Sequence, residues 1–76
     1  MKKEDIINVI KVALKVDRVT IKSSVSELEE WDSLGHLSIL VALDKEFNGE
    51  LASISDLATA DSVEKIIAIL ENKNFI

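Results

Sequence analysis

Apolar residues recur along this chain with a helical period, in blocks separated by stretches where the period is lost. Over residues 4–16, Ile6, Val9, Ile10, Ala13 and Leu14 fit the i, i+3, i+4, i+7 spacing of one helix face. Ile7, Val12 and Val16 widen that stripe, so the first helix is predicted to be covered on more than one side. Residues 17–31 lose the period. They read as a long connection in which Val19, Ile21, Val25 and Leu28 are spaced like pegs that pin a loop across a core. The connection exceeds the usual few residues between helices, and such lengths point to function.

A second helix is predicted over residues 32–47, roughly 22 Å long, capped by Asp32 or Ser33. At about 100° per residue, Ile39, Leu40, Leu43 and Phe47 fall on one side together with His36. Leu34, Leu37 and Val41 fall nearly opposite. One stripe can face the core; the other implies a second surface to cover. Gly49 ends the element. Residues 48–60 hold a short helix or turn around Ser53–Ala58, with Leu51, Ile54 and Leu57 inward. The last helix opens at "ADSVEKIIAIL". Asp61 is its expected cap, and Glu64 three residues on resembles a capping box. Val63, Ile66, Ile67 and Leu70 form its core stripe, and Phe75 and Ile76 either fold back or fray. There is no internal repeat. The predicted fold is all-α, a small bundle of three main helices plus one short helix.

Composition narrows the class. The 76 residues are read as one domain, 1–76, with a thin stability margin at this size. There is no cysteine for a disulfide, and there are too few histidines or thiols for a structural zinc. Stability must come from apolar packing, which 47% hydrophobic residues can supply. With no proline and only Gly35 and Gly49, long helices are the natural outcome. Glu4, Asp5, Asn8, Lys11 and Lys15 interrupt the first apolar block, which is therefore not read as a signal peptide. No stretch approaches the roughly 20 apolar residues that span a bilayer. A cytoplasmic, monomeric protein without membrane insertion is expected.

The net charge of −5 is unevenly placed. Residues 1–26 carry +3, residues 27–64 carry −9 with Lys45 their one cation, and residues 65–76 carry +1. The acidic middle surrounds the stretch "EWDSLGHL" at residues 30–37. Such a field disfavours nucleic acid and anionic membrane and favours partners with basic surfaces, although charge alone equally describes an ordinary solvated acidic surface.

Asp32, Ser33 and His36 supply the residue types of a hydrolytic triad without its geometry. A working triad needs a base oriented by a third group and an oxyanion hole. No catalytic residue is therefore assigned, and the chain is not expected to be an enzyme. Glu27, Glu29, Glu30 and Asp32 cluster but lack an EF-hand spacing, so no metal site is assigned. There is no P-loop. A serine at a helix start is nonetheless a good place for a covalent phosphodiester, because free backbone N–H groups and the positive end of the helix dipole favour an anion there. Gly35 has no side chain to shield it.

The stretch "DSLGHLSILVALDKEF" resembles the acyl carrier protein family, in which a D-S-L motif opens the second helix and an apolar segment follows, ending in an acidic-Phe pair like Glu46-Phe47. The resemblance extends over essentially the whole chain, with first helix, long loop, motif helix, short third helix and "DSVEKIIAIL" helix in the family's order. It implies that Ser33 accepts 4′-phosphopantetheine from coenzyme A, attached by a magnesium-dependent phosphopantetheinyl transferase. The thiol of that arm would hold acyl or aminoacyl intermediates as thioesters for fatty acid or polyketide biosynthesis or a related pathway. Asp32 and Leu34 match the residues flanking the attachment serine. Leu34, Leu37 and Val41 correspond to the family's partner-facing apolar positions, and Asp44 lies on their acidic rim. The implied partners are the transferase and the loading and downstream enzymes, with basic docking surfaces.

Departures from the family are equally specific. Gly35 and Ser38 stand where carriers of fatty acid synthesis have acids, and Lys45 sits between Asp44 and Glu46. Trp31 either packs over the helix start against His36 or joins the docking surface. "WDSLGHL" looks more like specialised bacterial carriers serving polyketide, peptide, surface-glycan or lipid pathways. Ile39, Leu40, Leu43, Ile54, Leu57, Val63 and Ile67 would line any space for cargo between the helices, and they are equally the expected core. The competing reading is an unmodified helical interaction module in which Asp32 and Ser33 are only caps.

Overall fold

The computed structural model describes residues 1–76 as three α-helices and one 3₁₀ turn: α1 (Lys3–Leu14), α2 (Ser33–Glu46), the turn Ser55–Thr59 and α3 (Val63–Asn72). The predicted all-α bundle, with its long first connection, is what forms. The radius of gyration, 11.0 Å, equals the ~11 Å of a compact chain of this length, so the long connection lies on the body of the bundle.

Each helix has an identifiable start and stop. At the start of α1 the Asp5 carboxylate accepts from the backbone N–H of Lys2 at 2.9 Å. The helix ends two residues short of the predicted 16, because Lys15 takes a left-handed conformation (φ 58°) and Val16 N–H bonds back to the Lys11 carbonyl. No glycine announces this stop. α2 ends where Gly49 N–H returns to the Asp44 carbonyl at 2.8 Å, and there φ is +80°, as a glycine permits. The expected cap of α3 is corrected. Ser62, not Asp61, caps it by accepting from Lys65 N–H at 3.2 Å. Asp61 instead pairs with Lys65 Nζ at 2.8 Å, one turn along.

The core joins Ile6, Ile10 and Leu14 of α1, Ile39 and Leu43 of α2, and Val63, Ile66, Ile67 and Leu70 of α3. Leu51, Leu57 and Ala60 close it from the segment between α2 and α3. Leu14 at the end of α1 lies beside Gly35 at the start of α2, so these two helices run antiparallel. Phe75 folds back, its N–H on the Leu70 carbonyl and its ring edge-on to Phe47 at 5.3 Å.

The connection 15–32 is stitched to the bundle by backbone bonds from Val25 N–H to the Asp61 carbonyl and from Val63 N–H to the Ser23 carbonyl, both 3.0 Å. Of the four expected pegs, Val19 is buried and Leu28 packs on the core. Ile21 and Val25 are not pegs; both are exposed. The bond pair at residues 23–25 holds the strap there, so their side chains are not needed as anchors.

Candidate functional site

The start of α2 is built by Asp32. Its Oδ1 accepts from Gly35 N–H at 2.8 Å and its carbonyl accepts from His36 N–H at 2.8 Å, which is an N-cap. Ser33 is therefore the first helical residue and not the cap. Its side chain is exposed and its hydroxyl makes no hydrogen bond to the chain. The backbone N–H groups of Ser33 and Leu34 also have no acceptor within the chain. One free hydroxyl and two free donors thus share the electropositive tip of a helix.

Gly35 is required here by close approach. A Cβ at this position would fall 2.0 Å from the Glu30 carbonyl oxygen and 3.0 Å from Leu14 Cδ2. The loop before α2 passes directly over the helix at Gly35. Shielding of Ser33, the reason read from sequence, is thus secondary to this contact.

Trp31 and His36 occupy the positions just before the cap and at the fourth residue of the helix, the pair that forms a hydrophobic staple. Here the staple is polar. Trp31 Nε1–H donates to His36 Nδ1 at 3.0 Å, with the ring planes nearly parallel at 15° and the ring centroids 6.1 Å apart. The other imidazole nitrogen, Nε2, lies 2.9 Å from the carbonyl oxygen of Leu57 in the 3₁₀ turn. Trp31 is only 2% exposed, so of its two expected places it takes the one against His36, and it reaches the surface only at the wall of the groove beside Ser33. His36 leans inward, as its angular position predicts.

The second stripe of α2 is uncovered. Leu34, Leu37 and Val41 are 75%, 56% and 55% exposed, and neither the loop nor the 3₁₀ turn packs over them. Three large apolar side chains on one exposed helix face form a contiguous patch, the kind of surface that marks interaction rather than folding. Asp44, at the far end, is half-buried. Its Oδ1 accepts from Leu51 N–H at 3.0 Å, so part of its role is to hold the turn after α2.

Two grooves flank the patch. One, of about 280 Å³, is apolar and runs between α2 and residues 51–58, lined by Leu40, Val41, Asp44, Leu51, Ile54 and Leu57 among others. The second, of about 440 Å³, opens beside Ser33, between Val25, Trp31 and His36 on one side and Ala58–Asp61 on the other. Of the residues expected to line a cargo space, Ile39, Leu43 and Val63 are completely buried in close packing. Leu40, Ile54 and Leu57 border the apolar groove at the edge.

Comparison with models of known families, with curated proteins and with solved structures finds no match for this chain.

No three His, Cys, Asp or Glu side chains are grouped to hold a metal ion, and no helix is long and apolar enough to cross a membrane. Three ion pairs, Lys3–Glu71, Lys22–Glu64 and Lys65–Asp61, lie on the surface. Lys65 beside Asp61 holds its carboxyl below the usual carboxylate range, by hydrogen bond and then by charge. Two features of the site escaped sequence reasoning: the Leu57 carbonyl as partner of His36, and Val25 as a wall of the groove beside Ser33. The first joins positions 21 residues apart through a backbone atom, which no residue pattern reveals.

Proposed function

We propose that this protein is a carrier whose Ser33 hydroxyl is esterified by 4′-phosphopantetheine from coenzyme A, through a separate phosphopantetheinyl transferase. The observation that carries the reading is the division of labour at the start of α2. Asp32 performs the capping, and Ser33 stands exposed beside it with a hydroxyl that bonds to nothing. The residues fit the group. Oγ is accessible, and the free N–H groups of Ser33 and Leu34 at a helix N-terminus favour the negative charge of a phosphodiester. When bound, the arm supplies a thiol on which acyl or aminoacyl groups are held as thioesters.

The chain's own residues then present the cargo and contribute no catalysis. Leu34, Leu37 and Val41 offer enzymes an apolar centre next to Ser33, and the acidic middle of the chain steers basic docking surfaces toward it. Charge speeds encounter while a small apolar centre keeps residence short. That combination suits delivery to several enzymes in turn. An unmodified interaction module would use the same patch but would leave the free hydroxyl of Ser33 without a purpose. Incubation with coenzyme A, magnesium and a broad-specificity transferase tests the proposal. The wild-type chain is expected to gain one phosphopantetheine by mass, and Ser33→Ala none.

A further inference from the structure

We propose that His36 is a positioning residue, a clasp that ties Trp31, before α2, to the 57–60 wall of the groove beside Ser33, and that both ends of the clasp close only in the neutral Nε2–H tautomer. The link to Ser33 modification rests on the carrier reading; the clasp itself does not.

Donor chemistry fixes the tautomer. An indole N–H can only donate, so Nδ1, 3.0 Å from Trp31 Nε1, must present its lone pair. A carbonyl oxygen can only accept, so Nε2, 2.9 Å from the Leu57 oxygen, must carry the proton. The indole N–H is directed at Nδ1, and the two ring planes are inclined to each other by only 15°. Through this imidazole, the residue before the cap of α2 is tied to a backbone atom of the 3₁₀ turn. Among the hydrogen bonds of the chain, only His36 joins α2 to that turn. Trp31 and His36, with Ala58, Thr59 and Ala60, wall the groove that opens at Ser33. An enzyme that approaches Ser33 across this groove therefore meets a surface whose width His36 sets.

Protonation would place N–H against N–H at Nδ1. The Trp31 side of the clasp would be lost while the Leu57 side persisted, and the indole N–H would be left buried without an acceptor. The ionisable groups sharing the groove with His36 are Asp32, from the loop before α2, and Asp61, from the loop before α3; the 3₁₀ turn contributes none to it. Asp61 is paired with Lys65 and stays ionised throughout a histidine titration.

The test uses the full, unmodified chain labelled with ¹⁵N. Long-range proton–nitrogen spectra are expected to show His36 as a single Nε2–H tautomer. As pH is lowered and His36 protonates, the Trp31 indole N–H resonance should move in step with it. His36→Gln, which cannot titrate but keeps a donor near the Nε2 position, should abolish that response and so separate His36 from Asp32 and Asp61. His36→Asn keeps an acceptor toward Trp31 and loses the bond to Leu57. In transferase assays it should raise the KM for the protein about fivefold, the factor for one hydrogen bond, with kcat unchanged. His36→Gln, retaining the Leu57 side, should stay within about twofold of wild type, within the scatter expected of a peripheral change. An Nδ1–H or mixed tautomer, an indole resonance indifferent to His36, or a wild-type KM in His36→Asn would overturn the proposal. A wild-type chain that no transferase modifies would sink the carrier reading instead, and the spectra alone would then decide the clasp.

Discussion

The carbonyl oxygen of Glu30 lies over Gly35, 2.0 Å from where a Cβ would stand. Alanine is the better helix former by about 1 kcal/mol, so an exposed helical glycine would normally gain from the exchange. At Gly35 the contact is with backbone, which cannot swing aside, and Leu14 Cδ2 closes the other side at 3.0 Å. Gly35→Ala is therefore expected to destabilise by about 1–3 kcal/mol net, as overpacking does. Denaturant unfolding measures it; a neutral or stabilising result would show that the loop does not cross α2 so closely.

Asp32 and Ser33 should separate cleanly by stability. Asp32→Ala removes the acceptor for Gly35 N–H and should cost about 0.5–2 kcal/mol. Ser33→Ala removes no hydrogen bond within the chain and should stay within about 0.5 kcal/mol of wild type. Reversal of that order in thermal or chemical melts would make Ser33 the cap and remove the reason for its free hydroxyl.

The two faces of α2 should behave as opposites. Leu43→Ala opens a cavity at a completely buried position and should cost about 2–5 kcal/mol, a large share of the stability of so small a domain. Leu37→Ala and Val41→Ala sit on the exposed stripe and should change stability by no more than about 0.5 kcal/mol. With the transferase as partner, the same two changes should weaken binding, read as a raised KM for the carrier. Stability losses at Leu37 or Val41 comparable to that at Leu43 would mean that the stripe is covered.

The legible part of this protein was its periodicity. Ile6–Ile10–Leu14, Ile39–Leu43 and Val63–Ile67–Leu70 announce three helices because burial of one face imposes the spacing. The divided faces of α2 were visible too, since Leu34, Leu37 and Val41 cannot share a side with Ile39 and Leu43. What escaped was settled by backbone atoms and by partners distant in sequence. Lys15 ends α1 in a left-handed conformation that its side chain does not advertise. Ser62 and Asp61 are both good caps by type; Ser62 takes the role, while Asp61 pairs with Lys65. Trp31, ambiguous between surface and interior, is drawn inside because His36 satisfies its N–H there. At the candidate site the serine, its flanking residues and the apolar stripe were readable. The use of Gly35 as a crossing point for Glu30 was not.

The Lys65–Asp61 pair predicts a pH signature. Asp61 has its carboxyl lowered in the folded state, so its contribution is present above the unfolded-state value and is lost as pH falls through the folded one. Wild type and Asp61→Asn should therefore differ slightly at neutral pH and converge as acid is added below the usual carboxylate range. The pair is exposed, so added salt should shrink the neutral-pH difference. A gap that persists in acid would assign the effect of the substitution to something other than this charge.

The Ser33 hydroxyl, exposed and without a hydrogen bond to the chain, is the proposed point of attachment. The most direct measurement is intact mass followed by peptide mapping after reaction with coenzyme A, magnesium and several phosphopantetheinyl transferases. One added phosphopantetheine is expected, located on the peptide containing Ser33 and absent from Ser33→Ala. A wild-type chain left unmodified by every transferase, or an arm found on another residue, would contradict it.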